Sequence, residues 1–173
     1  MENDIDAMQR LWSGPIIYSE GTNMSKGLCF LFRESFHADD IRVLISSDRF
    51  LLCTVKVGVE NFVFGNIYAP NNDKEKKIFF NNISNSIKEK LNEQQKQKLI
   101  LMGDFNCVLD NSKDIVSGLP HSHDTVKDFN NFVENNNLFD LWRKHSGLLV
   151  CTPVVFLPPT YPLFLWQRQS NIL

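Results

Sequence analysis

Two short stretches hold residues whose types and spacing could do chemistry. Asn66-Ile67-Tyr68-Ala69-Pro70-Asn71 and Gly103-Asp104-Phe105-Asn106 each close an apolar run of strand length. In layered α/β proteins, strand ends are where polar side chains project into a cleft while the sheet fixes their bases. An aspartate, asparagines and a tyrosine in that setting suit a phosphate and a cation. Carboxylate and amide oxygens fit magnesium, and amide and phenol donors fit phosphate oxygens. Each motif alone also reads as a turn, since Asp after Gly and Asn beside Pro are turn formers. Two such motifs at two strand ends, with a helix between them, argue for a shared site.

The elements that must position these residues follow from periodicity. Leu28–Phe32, Ile41–Ile45, Phe50–Val57 and Phe62–Tyr68 read as strands, with a turn over 57–61 joining the last two as a hairpin. Pro70 and the Asn71-Asn72-Asp73 cluster stop the sheet. Asn72 with Glu75 fits a helix start, and Phe79, Ile83, Ile87 and Leu91 mark one apolar stripe. Lys88, Glu89 and Lys90 fall off that stripe and read as solvated face. Lys98–Met102 is a short buried strand running into the Gly103-Asp104 loop. A second helix is expected over 125–137, started by Ser122 or Asp124, with Val126, Phe129, Phe132 and Val133 on one side. Leu138–Trp142 is another short apolar piece. Hairpin strands followed by alternating helices and strands predict an α+β (α/β layered) domain, a sheet with helices against it.

Composition narrows the class. A chain of 173 residues with 43% hydrophobic and 22% charged residues is long enough for one domain with its own core. The net charge of −2 sets up no overall basic field. Fourteen Phe against three Tyr point to an apolar, aromatic core. Cys29, Cys53, Cys107 and Cys151 form no C-x-x-C pair and are expected as reduced thiols. His121 and His123 are the one close histidine pair, too little for a zinc site. The polar start MENDIDAMQR has no apolar core of a signal peptide, so an intracellular location, cytoplasmic or nuclear, is expected. Leu148–Trp166 is 19 residues without a charge, near the ~20 that span a bilayer. Its four prolines (Pro153, Pro158, Pro159 and Pro162) speak against a regular spanning helix and so against a membrane partner.

The motifs resemble the endonuclease/exonuclease/phosphatase superfamily, specifically the endonuclease domain of long-interspersed-element (non-LTR) retrotransposon polyproteins. The likeness begins at Trp12-Ser13-Gly14 and Ser25-Lys26-Gly27 and runs through NIYAPN (66–71), LILMGDFN (99–106) and Asp114. It ends near Leu138–Arg143. The resemblance implies a two-sheet β-sandwich flanked by helices, present incompletely over residues 1–147, with 148–173 an unrelated proline-rich tail. It also implies roles. Asp104 matches the aspartate that orients and deprotonates the attacking water, and Asn106 the neighbouring asparagine that contacts the phosphate and approaches a metal. Tyr68 matches a tyrosine that hydrogen-bonds the scissile phosphate, and Asn71 completes that phosphate cradle. Asp140 and Arg143 match a structural D-x-x-R piece. The implied reaction is magnesium-dependent phosphodiester hydrolysis of DNA.

The family pattern is departed from at both ends. Its metal-binding glutamate belongs to a strand before the W-x-G region, and Glu2 has no apolar strand before it. Asp104 and Asn106 are therefore left as weak metal ligands. No serine–aspartate–histidine triplet follows, and His121, His123 and His145 do not match the position of the family histidine. Nor does a reverse-transcriptase segment follow. The expectation is thus an inert remnant of an endonuclease domain. The alternatives are a non-catalytic nucleic-acid- or protein-binding remnant, or another phosphodiesterase or phosphatase of the same superfamily.

Overall fold

The computed structural model describes residues 2–22, 27–115, 119–141 and 156–157. In chain order the elements are α1 (Glu2–Leu11), β1 (Ile16–Ser19), β2 (Leu28–Leu31), a 3-10 turn (Ala38–Asp40), β3 (Ile41–Ser46), β4 (Phe50–Val57), β5 (Glu60–Tyr68) and α2 (Asp73–Lys90). They continue with α3 (Glu93–Lys96), β6 (Leu99–Asp104), α4 (Asn111–Asp114), α5 (His123–Asn135), β7 (Phe139–Asp140) and β8 (Phe156–Leu157). The main sheet has the order β3-β4-β5-β6-β8-β7, and β1 pairs with β2 in a separate two-stranded sheet.

The β4–β5 hairpin forms because two β-rich runs flank a two-residue turn. Val57 pairs with Glu60, and Gly58 takes the positive φ (63°) that the first position of such a turn favours. From β5 the chain crosses over through α2 and returns as β6, which pairs with β5 in parallel, Val63 against Leu99 through Tyr68 against Asp104. A parallel neighbour needs a crossover of this length, and the helix supplies it.

The first part of strand β4 is buried on both faces, which is why it opens on the apolar run Phe50–Cys53 before alternating. Phe50 and Leu52 join Val63, Ile67, Leu99 and Leu101 under α2 and α5. Leu51, Cys53 and Val55 point the other way and meet Phe30 of β2. The layers are therefore helices, main sheet and small sheet. The phenylalanine excess is spent mainly on the helical side. Phe129 is fully buried, with ring centroids of Phe80 at 5.2 Å and Phe105 at 5.5 Å.

Helix α2 begins where expected, with Asn72 Oδ1 accepting from Lys74 N at 2.9 Å and Glu75 N at 3.3 Å. Its deep positions are Phe80, Ile83 and Ile87, with Phe79 only half-buried, so the stripe begins one residue later than the four-residue spacing implied. Helix α5 is capped by Ser122, whose Oγ accepts from Thr125 N at 3.1 Å. Lys88, Glu89 and Lys90 are exposed. The start of the chain, read as polar and unassigned, is α1. Trp12 just after it donates from Nε1 to Phe32 O at 2.7 Å, fastening the helix end to the small sheet.

Among the described residues no helix is long and apolar enough to cross a membrane. Cys29, Cys53 and Cys107 are free thiols, and burial pushes Cys53 up to about 12 and Cys107 up to about 11. Ser25, Lys26, Arg143, His145 and Cys151 lie outside the described residues, as does Leu148–Trp166 apart from β8.

Candidate functional site

Tyr68 and Asp104 end adjacent parallel strands and are register partners. The ladder is closed beyond them by Ala69 N donating to Asp104 O at 2.8 Å. Asn106 then locks the two strand ends together. Its backbone N–H donates to Asp104 Oδ1 at 2.9 Å, and its side-chain Nδ2 donates to Ala69 O at 2.7 Å. This requires the left-handed backbone that Asn106 adopts (φ 46°), a conformation asparagine tolerates better than most residues. Asp104 is exposed, while Tyr68 and Asn106 are half-buried. The hydrogen bonds thus gather three of the four expected residues at one rim. Asn71 lies three residues beyond Tyr68, exposed, immediately before the residue that caps α2.

Gly103 makes the approach of the two strands possible. It adopts φ 128°, and a Cβ there would stand 2.1 Å from Ile67 O and 2.9 Å from Asn66 Oδ1. Asn66 sits two residues before Tyr68 and so on the same face of β5. Its Nδ2 donates to Cys29 O at 3.0 Å, linking β5 to the small sheet below the rim. Sequence reasoning placed Asn66 in the motif without this role. It missed Arg49, whose guanidinium lies 5.1 Å from the Tyr68 ring centroid. Counting outward from the hairpin turn would have paired Arg49 with Tyr68.

Other candidates sit elsewhere. Asp114 Oδ2 accepts from Asp110 N at 3.0 Å, ordering the turn at α4. His121 exchanges hydrogen bonds with Asn111, its N donating to Oδ1 at 3.1 Å and its O accepting from Nδ2 at 2.8 Å. Burial holds the His121 imidazole below its ordinary value. Asp140 belongs to β7.

The donor chemistry falls short of a metal centre. Asp104 and Asn106 bring one carboxylate and one amide together, and among the described residues no group of three or more His, Cys, Asp or Glu is arranged to hold a metal ion. A magnesium site usually uses one or two carboxylates with waters and substrate phosphates. The rim brings together hydrogen-bond donors, the Tyr68 phenol and the side-chain amides, and an acceptor, the exposed Asp104 carboxylate.

No protein-family model matches the sequence, and no curated protein sequence matches it. Solved structures do. The endonuclease domain of TRAS1, a telomere-specific non-LTR retrotransposon, matches with a TM-score of 0.56 at 10% identity, over 84% of this chain and 65% of that one. An endonuclease/exonuclease/phosphatase family protein from Bacteroides thetaiotaomicron matches with a TM-score of 0.54 at 14% identity, over 91% of this chain and 66% of that one. The chain has the endonuclease/exonuclease/phosphatase fold. TDP2 from D. rerio, in complex with a single-strand DNA product, shares this fold at a TM-score of 0.51 and 14% identity, over 92% of this chain and 68% of its own. The chain thus spans about two thirds of each of these proteins. The endonuclease/exonuclease/phosphatase sandwich is the fold that the motif resemblance implies. In this sandwich the NIYAPN and GDFN motifs end neighbouring parallel strands of the main sheet.

Proposed function

We propose that the chain carries one half of an endonuclease-type phosphodiesterase site directed at DNA, the half that holds the phosphate. Tyr68, Asn71 and Asn106 donate hydrogen bonds to the phosphate oxygens. In a complete site Asp104 would take the proton of a water attacking the phosphorus, and the 3′ oxygen would leave with a proton from solvent. The observation that carries the reading is the lock between strand ends, in which Asn106 bonds both Asp104 and Ala69 while Tyr68 and Asp104 stand in register. Such preorganised donors are what a phosphate-binding site requires.

Magnesium is the cation this reading calls for, and the described residues offer it Asp104 and Asn106 alone. With those two as weak ligands, this half-site is read as holding DNA without cutting it. Nicking of supercoiled plasmid in magnesium, comparing the wild type with Asp104→Ala, tests this. The expected result is equal, background nicking by both. Magnesium-dependent nicking abolished by Asp104→Ala would overturn the inert reading and establish a working nuclease.

A further inference from the structure

Arg49 belongs to neither motif, yet the fold sets it against Tyr68. It ends the turn between β3 and β4, which is closed by Ser47 N donating to Phe50 O at 2.9 Å and Phe50 N donating to Ser47 Oγ at 2.9 Å. The β4–β5 ladder aligns Phe50 with Ile67, so the next pair outward is Arg49 with Tyr68. The backbone makes that pair, Tyr68 N donating to Arg49 O at 3.0 Å. The side chain adds two contacts. Nη1 donates to Tyr68 O at 3.4 Å, and the guanidinium carbon lies over the ring at 5.1 Å from its centroid. Asp48 pairs with the guanidinium, its Oδ2 3.8 Å from Nε. Thr22 Oγ1 in turn donates to that Asp48 oxygen at 3.4 Å.

Three neighbouring strand ends therefore carry Arg49, Tyr68 and Asp104 in a row. The ring of Tyr68 is flanked by a cation on one strand and paired with a carboxylate residue on the other. We propose that Arg49 is a positioning residue that acts through Tyr68, holding the ring so that its hydroxyl meets a phosphodiester oxygen; this rests on the reading of the rim as a phosphate site. A half-buried tyrosine at a strand end has free torsions. A planar guanidinium on its face restricts them through attraction to the ring's π-cloud, and a compact ammonium does so less well because it cannot stack. A donor ordered before the ligand arrives loses less freedom on binding.

The test is a double-mutant cycle on binding of a fluorescein-labelled single-stranded DNA oligonucleotide, read by anisotropy in EDTA. Arg49→Met is expected to weaken binding about threefold to fivefold, the size of a partly exposed cation–π contact. In the Tyr68→Ala background the same substitution is expected to change nothing further. Arg49→Lys should recover part of the loss, because it keeps the charge without the plane. If Arg49→Met leaves affinity unchanged, or costs the same factor in both backgrounds, the proposal is wrong. If the wild type does not bind, or Tyr68→Ala binds as the wild type does, the phosphate-site reading fails first and takes this one with it. Thermal unfolding of each variant separates loss of fold from loss of binding, and should Arg49→Met not fold, Arg49→Lys carries the same cycle.

Discussion

Gly103→Ala is the sharpest perturbation the structure offers, because two independent penalties meet at one atom. At φ 128° an alanine sits in a region that non-glycine residues rarely adopt, at a cost on the order of 1–3 kcal/mol. Its Cβ would also stand 2.1 Å from Ile67 O and 2.8 Å from Ile67 N. Both are backbone atoms of β5, so no side chain can swing aside. Relief requires parting β5 and β6 by about 1 Å at their C-terminal ends, since a carbon and a carbonyl oxygen rest near 3.3 Å. That weakens one or two ladder hydrogen bonds, the Ala69–Asp104 bond among them, each worth about 1 kcal/mol net. The combined loss is about 4 kcal/mol, a large part of the 5–15 kcal/mol typical of a domain, and the melting midpoint should fall by roughly 8–16 °C. Urea unfolding followed by circular dichroism measures it. Gly65→Ala is the internal control. Its Cβ would meet the Leu101 Cδ2 methyl at 2.4 Å, the movable end of a side chain, so a loss of only about 1–2 kcal/mol is expected. A loss below about 1 kcal/mol for Gly103→Ala, or one no larger than that of Gly65→Ala, would refute the close-approach argument.

Two further outcomes follow from the helical side. Phe129→Ala empties the centre of the aromatic cluster, where the ring is fully buried among Phe80, Phe105 and Phe132, and should cost about 3–5 kcal/mol in the same urea assay. At the start of α2, the Lys76 ammonium donates to Asp73 Oδ1 at 3.0 Å from a side chain that is 4% exposed, and this bond, with a smaller one to Thr125, holds the Asp73 carboxyl below its ordinary value. Because the folded value lies below the unfolded one, the stability Asp73 contributes is present above the unfolded value of about 4 and is lost as pH falls through the folded value. Asp73→Asn should therefore flatten the acid limb of a urea-midpoint-against-pH curve. A limb unchanged by the substitution would assign it to other carboxylates, such as Asp110, which its bonds to Ser112 hold at about 2.

The parts of the fold that could be read from the sequence are those where one residue pattern had one physical solution. The run Phe50–Val57 read as a strand, and the two-residue turn at Gly58 fixed its partner. The stop at Pro70–Asp73 and the cap at Asn72 gave the start of α2. The strand-end motifs were legible for the same reason, since a polar cluster after an apolar run has few places to go. What was hidden depended on contacts distant in the chain. Helix α1 has Ile5, Met8 and Leu11 at helical spacing, a signal masked by the polar residues around them, and its end is fastened by Trp12 to Phe32 O, twenty residues away. Lys76 is buried with its ammonium on Asp73 one turn before it, a partnership that the apolar stripe of α2 does not signal. Phe80 rather than Phe79 faces the core because the packing partner is Phe129, which no spacing within α2 could reveal. Arg49 is a lone cation before a strand, and its meaning lies wholly in the register across the hairpin.

The small sheet has its own consequence for motion. Strands β1 and β2 reach the main sheet through the cluster around Phe30 and through the side chain of Asn66 on Cys29 O, and among the described residues no backbone ladder joins the two sheets. A layer held this way is the natural first unit to detach in a sub-global opening, leaving β4, β5 and β6 intact beneath it. Opening would bare Leu51, Cys53 and Val55 at once. The Cys53 thiol, silent while buried, would then signal a breathing motion that starts directly below the rim of Tyr68 and Asp104. Asn66 is the latch, and it sits two residues from Tyr68.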